Sequence, residues 1–256
     1  MQFLDLLNKS KQESKSQICV GLDLAAFGTR EQYTLKKEQD KVVVLLNLIE
    51  NLYSRCCAFK INRQYILDLT SPEIQQITQA SHKHSRPIII DHKLSDIGST
   101  NRQAIQHFAK EGFDAFTASP FPGNVQNLCE TAHNSDLAVI LLILMSNPEA
   151  IWMKKAYIEK VPVFQFNAIL ANEFADGVVI GATGHVTNEN LHTIKSEISG
   201  KVVLAPGVGA QGGDVKSLVN IFHKDVIFNV GRSIIYQDDP LQVLQSYNEL
   251  VRKHTG

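Results

Sequence analysis

Short runs of β-branched and aliphatic residues alternate with longer stretches at helical spacing along the whole chain. Residues 18–24 (ICVGLDL) predict a first strand and 41–52 the helix after it. Residues 57–61 predict a second strand, followed by a helix over 72–84. Residues 87–93 (PIIIDHK) predict a third, followed by a helix through 97–110. Further strands are predicted at 114–119, 137–145, 177–182 (GVVIGA), 202–206 and 226–230, with a helical pattern between each pair. Residues 1–10 read as a short amphipathic helix.

Strands that alternate with helices pair in parallel, and nearly continuous apolar strands are buried on both faces. A doubly wound open sheet satisfies both conditions. Eight units in 256 residues, the usual size of a complete barrel, favour a single (β/α)8 (TIM) barrel domain over residues 1–256. Two segments carry no clear strand: 25–40 reads as an extended connection, and 148–174 as a partly helical excursion around Trp152 and Tyr157.

Composition narrows the partners. Apolar residues are 44% of the chain and charged residues 20%, enough for a large core. The formal net charge of −1 gives no bulk attraction to nucleic acid or anionic membrane, so any anion site is local. The first residues lack the apolar core of a signal peptide, and the most apolar run, 137–145, is too short to span a bilayer. The cysteines, Cys19, Cys56, Cys57 and Cys129, form no C-x-x-C pair, and the first three have the apolar neighbours of core thiols. These features predict a reduced cytoplasmic protein with no disulfide or metal role for its cysteines.

Barrel enzymes draw their functional groups from the C-terminal ends of strands. The first strand ends in Asp23, the second in Lys60, the third in Asp91, His92 and Lys93. The fifth runs into Ser146 and Asn147, the seventh opens into GVGAQGG (207–213), and the eighth ends in Gly231 and Arg232. Asp91 and Lys93, two apart on a strand, are expected on one face and His92 on the other, packed against helices. Asp96 and Thr100, four apart, are expected to share a face at the start of the next helix. A buried structural ion pair would account for Asp91 and Lys93 alone. With Asp23 and Lys60, four ionised groups converge on one barrel mouth, and burying them is costly unless they serve a purpose. The glycine-rich loop and the Gly-Arg pair suit phosphate, through backbone N–H groups and a bidentate guanidinium.

Together these residues resemble the orotidine 5′-monophosphate decarboxylase family. Its D-x-K-x-x-D-I-x-x-T signature stands here as Asp91, Lys93, Asp96, Ile97 and Thr100. GLD (Asp23), FK (Lys60), MSNP (Ser146), PGVGAQGG (Pro206, Gln211) and VGRSI (Arg232) follow the family's order. The resemblance implies decarboxylation of orotidine 5′-monophosphate to uridine 5′-monophosphate without metal or organic cofactor. It implies that Asp23 and Lys60 hold the ribose, that Asp91 lies against the departing carboxylate, and that Lys93 protonates C6. Asp96, Ile97 and Thr100 would reach a neighbouring subunit's site in a homodimer with shared active sites. Ser146 would read the pyrimidine edge. Gln211, Gly231 and Arg232 would bind phosphate, with the 206–213 loop closing over the substrate. Two rivals remain: a metal-dependent sugar-phosphate lyase of the same superfamily, similar to hexulose-phosphate synthase, and a non-catalytic barrel that binds phosphorylated metabolites.

Overall fold

The computed structural model describes residues 3–29, 33–182, 184–208 and 214–254. Eight parallel strands close into a barrel in the order β1 (Ile18–Gly21), β10 (Val226–Val230), β9 (Val202–Pro206), β8 (Gly177–Ile180), β5 (Ala138–Leu144), β4 (Ala115–Ala118), β3 (Ile88–Leu94) and β2 (Ala58–Asn62). Apart from the pairing of β1 with β10 that closes the ring, the barrel strands pair in chain order. Every predicted strand is present within a few residues of its expected bounds, and closure excludes the open doubly wound sheet. The outer helices are α2 (Lys41–Leu52), α3 (Ser71–Lys83), α4 (Gly98–Glu111), α5 (Val125–His133), α7 (Val163–Phe174), α8 (Asn188–Glu197), α9 (Val215–Phe222) and α11 (Pro240–Arg252), with the short α10 (Arg232–Ile235) after β10.

Local chemistry explains several of these boundaries. The Asp40 carboxylate accepts from Val43 N (3.1 Å) and caps α2. Thr70 and Glu73 form a capping box on α3, with Pro72 in its first turn. Such caps satisfy N–H groups that the helix itself leaves unpaired, each worth about 1 kcal/mol.

Two apolar layers result. Between strands and helices lie residues such as Ile61, Ile90, Phe116, Ile143 and Phe228, all fully buried. Inside the barrel, Cys19, Ala58, Ile89, Ala115 and Ile227 form a second cluster. Helix α1 (Phe3–Ser14) seats Phe3 and Leu7 against that cluster. It therefore stoppers the barrel at the end opposite the strand C-termini, and Ser10 Oγ donates to the Cys57 carbonyl at 2.7 Å. The helix extends four residues beyond the expected 1–10, because Ser10 and Ser14 are buried as well. All four cysteines are free and buried. Desolvation pushes the Cys57 and Cys129 thiols up to about 12, so both are unreactive at neutral pH.

The segment 25–40 is an extended connection whose described residues make one bridge, Ala25 to Thr34. The expectation for 148–174 needs correction. Only its first half is an excursion: one 3-10 turn, the short helix α6 (Trp152–Lys155), and a hairpin of β6 (Tyr157–Ile158) with β7 (Val161–Pro162). The remainder is α7, the regular barrel helix between β5 and β8, with Phe164, Ala168 and Ala171 buried.

Candidate active site

The third strand departs from a regular ladder where the charges begin. Ile90 pairs with Phe116 and Leu94 with Ala118, so Asp91, His92 and Lys93 lie opposite Thr117 alone. Such bulges re-aim side chains at strand ends. Lys93 takes a left-handed backbone (φ 56°), which costs a non-glycine residue on the order of 1–2 kcal/mol. Asp91 and Lys93 nonetheless share a face, with Lys93 Nζ 2.7 Å from Asp91 Oδ1. His92 points the other way, its ring edge-on to Phe108 of α4 at 5.2 Å between centroids, as expected of a packing residue.

Behind this pair stands Lys60, 3% exposed. Its ammonium lies 3.3 Å from Asp91 Oδ2 and 3.4 Å from Asp23 Oδ2. The other Asp23 oxygen accepts from Asn62 N at 2.8 Å. The four groups thus form an alternating chain, Asp23–Lys60–Asp91–Lys93. Burial pulls the Lys60 ammonium down, but the carboxylates of Asp23 and Asp91 outweigh it and hold its pKa above the ordinary lysine value. Burial pushes Asp91 up, but Lys60, Lys93 and the Thr117 hydroxyl together hold it well below the usual carboxylate range. Lys60 and Asp91 are therefore both ionised at neutral pH.

A cavity open to solvent lies over the array. Lys60, Asp91, Lys93, Ser146, Pro206 and Asn229 line it, above an apolar floor of Leu142, Val179 and Leu204. Gly231 follows β10 and packs on Gly21, where an added Cβ would meet Gly231 Cα at 3.2 Å. Arg232 is exposed at the first position of α10. The structure therefore brings Asp23, Lys60, Asp91 and Lys93 together and places Ser146 and Pro206 around the same space. Gln211, with the rest of 209–213, lies outside the described residues.

Asp96, Ile97 and Thr100 do not join the array. Helix α4 starts at Gly98, so Asp96 precedes it and does not share a helical face with Thr100 as expected. The Asp96 carboxylate turns back on the Ile97 N–H (2.7 Å), and its carbonyl accepts from Asn101 and Asn124 side chains. All three residues are exposed, Ile97 by 66%.

Sequence reasoning missed Thr117, Asn229 and Tyr236. Thr117 touches both Asp91 and Lys93. The Tyr236 hydroxyl accepts from Ala25 N at 2.8 Å and pins the connection after β1. Asn229 had a legible signal, an amide in the otherwise apolar strand VIFNV, where Asn is disfavoured. A threonine in a strand carries no such signal. Among the described residues, no three His, Cys, Asp or Glu side chains gather as a metal-ligand set.

A closed parallel barrel with an alternating carboxylate–ammonium chain at its C-terminal mouth has the architecture of a (β/α)8-barrel enzyme, whose active sites lie at that end. The sequence model of one family, the orotidine 5′-phosphate decarboxylase / HUMPS family, matches residues 16–247. This chain belongs to that family. It is 31% identical to an orotidine 5′-phosphate decarboxylase of Janthinobacterium sp. (strain Marseille), over 92% of this chain and 90% of that one. Among solved structures it resembles Leishmania donovani OMP decarboxylase, with a TM-score of 0.82 at 22% identity, covering 100% of this chain and 99% of that one. It also resembles the longer Leishmania donovani UMP synthase, of which it spans 57%, with a TM-score of 0.84 at 23% identity over 100% of this chain.

Proposed function

We propose that this chain decarboxylates orotidine 5′-monophosphate to uridine 5′-monophosphate, the reaction named for its Janthinobacterium relative. The observation that carries the reading is the Lys93 ammonium, held 2.7 Å from Asp91 at the wall of the cavity. Loss of carbon dioxide breaks the bond from C6 to the carboxylate and leaves its electron pair on C6, where no adjacent group delocalises it. A fixed ammonium stabilises that developing charge and then transfers its proton to C6. Solvent reprotonates the lysine. Asp91 lies against the substrate carboxylate, which it repels, and favours its release.

Asp23 and Lys60 hold the ribose, and Lys60 keeps Asp91 ionised. Ser146 reads the pyrimidine edge. Gln211, Gly231 and Arg232 bind the phosphate, and closure of the 206–213 loop orients the ring, a use of remote contacts for a distant reacting atom. Asp96, Ile97 and Thr100 complete the site of a second copy in a homodimer. Their exposure, apart from the array of their own chain, supports that role. No described helix is long and apolar enough to cross a membrane, which is compatible with the cytoplasm as the place of action. The chemistry requires no metal or organic cofactor.

The test follows the ultraviolet absorbance of orotidine 5′-monophosphate mixed with chelator-treated protein. Conversion to uridine 5′-monophosphate is expected, with Lys93→Ala slower by at least about 1,000-fold. A folded Lys93→Ala protein within tenfold of the original rate would refute the proton-donor role. Turnover restored only by a divalent cation, on a sugar phosphate instead, would move the chain to the metal-dependent reading.

A further inference from the structure

The bulge in β3 places three residues, Asp91, His92 and Lys93, across from the single residue Thr117 of β4. A bulge of this kind takes backbone groups out of the ladder, and a buried N–H without a partner is destabilising. Here the Lys93 N–H donates to Thr117 Oγ1 at 2.9 Å. The same oxygen lies 2.8 Å from Asp91 Oδ1. Asp91 is ionised and has no proton to give, so the hydroxyl donates to it. Thr117 itself is 1% exposed.

We infer that Thr117 is a positioning residue whose one hydroxyl holds the main chain of Lys93 and the carboxylate of Asp91, and thereby sets the distance and direction of the Lys93 ammonium. The inference rests on the reading of Lys93 as proton donor. Asp91 Oδ1 receives both Lys93 Nζ and the Thr117 hydroxyl. The side chain and the backbone of Lys93 are therefore tied to one carboxylate by two separate routes. The left-handed turn at Lys93 is held closed by the route through Thr117. Thr117 also lines the cavity, so a test must remove the hydroxyl without changing the side chain's volume; its loss frees the turn to relax, which swings the ammonium.

Thr117→Val keeps the shape and removes the hydroxyl, whereas Thr117→Ser keeps the hydroxyl. With orotidine 5′-monophosphate, Thr117→Val is expected to lower kcat by about 10- to 100-fold, the effect of a lost hydrogen bond to a charged group, with KM changed less than about threefold. Thr117→Ser is expected within about fivefold of the original kcat. A merely structural role would instead track thermal stability and would not be rescued in kcat by serine. Equal kcat in Thr117→Val and the original protein, or a serine variant as slow as valine, overturns the inference. Hydrogen exchange of the Lys93 amide, read by NMR, gives a second measurement independent of turnover. Exchange should accelerate at least about tenfold in Thr117→Val and stay unchanged in Thr117→Ser. Should the original protein leave orotidine 5′-monophosphate untouched, the proposed reaction fails. The amide comparison then still decides whether Thr117 holds Lys93, and equal exchange in all three proteins rejects it.

Discussion

Lys60 shows at the scale of one residue why the site is ionic. It sits between two partly buried carboxylates, and removing it would leave Asp23 and Asp91 facing each other without a counter-charge. Breaking a buried array in this way costs about 3–5 kcal/mol, less where water reaches the carboxylates. Lys60→Met is therefore expected to lower unfolding free energy by about 3 kcal/mol at pH 7, read from urea midpoints. The pH dependence follows from the two shifts. Asp91 is depressed in the folded state, so its contribution is complete above its ordinary value of 3.8 and is lost as pH falls below it. Lys60 is raised, so its contribution is complete below 10.5 and is lost as pH rises beyond it. The gap between Lys60→Met and the original protein should be flat from about pH 5 to pH 10 and narrow on both flanks. A gap that widened with acid would contradict the ion-pair account. Asp91 and Lys93 were legible as charges inside an apolar strand. Thr117 was not, because threonine is ordinary in strands and its meaning comes from what lies across the ladder.

Among the elements, strand ends decide where the lining residues stand. Gly181 follows β8 and donates its N–H to the Leu144 carbonyl at 2.7 Å. A Cβ there would lie 2.4 Å from Ser146 Cα and 2.5 Å from Ser146 N. These are backbone atoms and cannot rotate away. His185 Nε2 donates to the Met145 carbonyl (2.9 Å) and fixes the same turn from the other side. Gly181→Ala is expected to cost about 2–3 kcal/mol and to displace Ser146. Gly184→Ala, with open space around its Cβ, should stay within about 0.5 kcal/mol of the original. Matching thermal denaturation of the two variants would refute the close approach. Side-chain period made most elements readable in advance, since continuous apolar runs mark strands and apolar residues at helical spacing mark the segments between them. The helix after the signature was expected one residue early at 97. The segment 148–174 was read as one excursion because its hairpin interrupts the helical period just before α7.

The proposed site of the whole molecule needs two copies. If Asp96 of one subunit serves the Lys93 of its partner, Lys93→Ala and Asp96→Ala should each be inactive alone. Mixed and allowed to exchange, half of the dimers are hybrids, and each hybrid has one intact site, so about a quarter of the original activity should return. No recovery on mixing, with hybrid dimers shown by mass spectrometry, would mean that Asp96 acts on its own chain or not at all.

The sequence alone determined the eight alternating units, the strand ends that carry charge and the family signature, because these are local patterns of side-chain period and order. Tertiary structure alone decided that α1 stoppers the barrel, that Asp96 stands apart from the array, and that one threonine bonds two members of it. Each of those depends on which distant residues the folded chain sets within hydrogen-bonding or van der Waals reach, and no spacing along the chain encodes that distance.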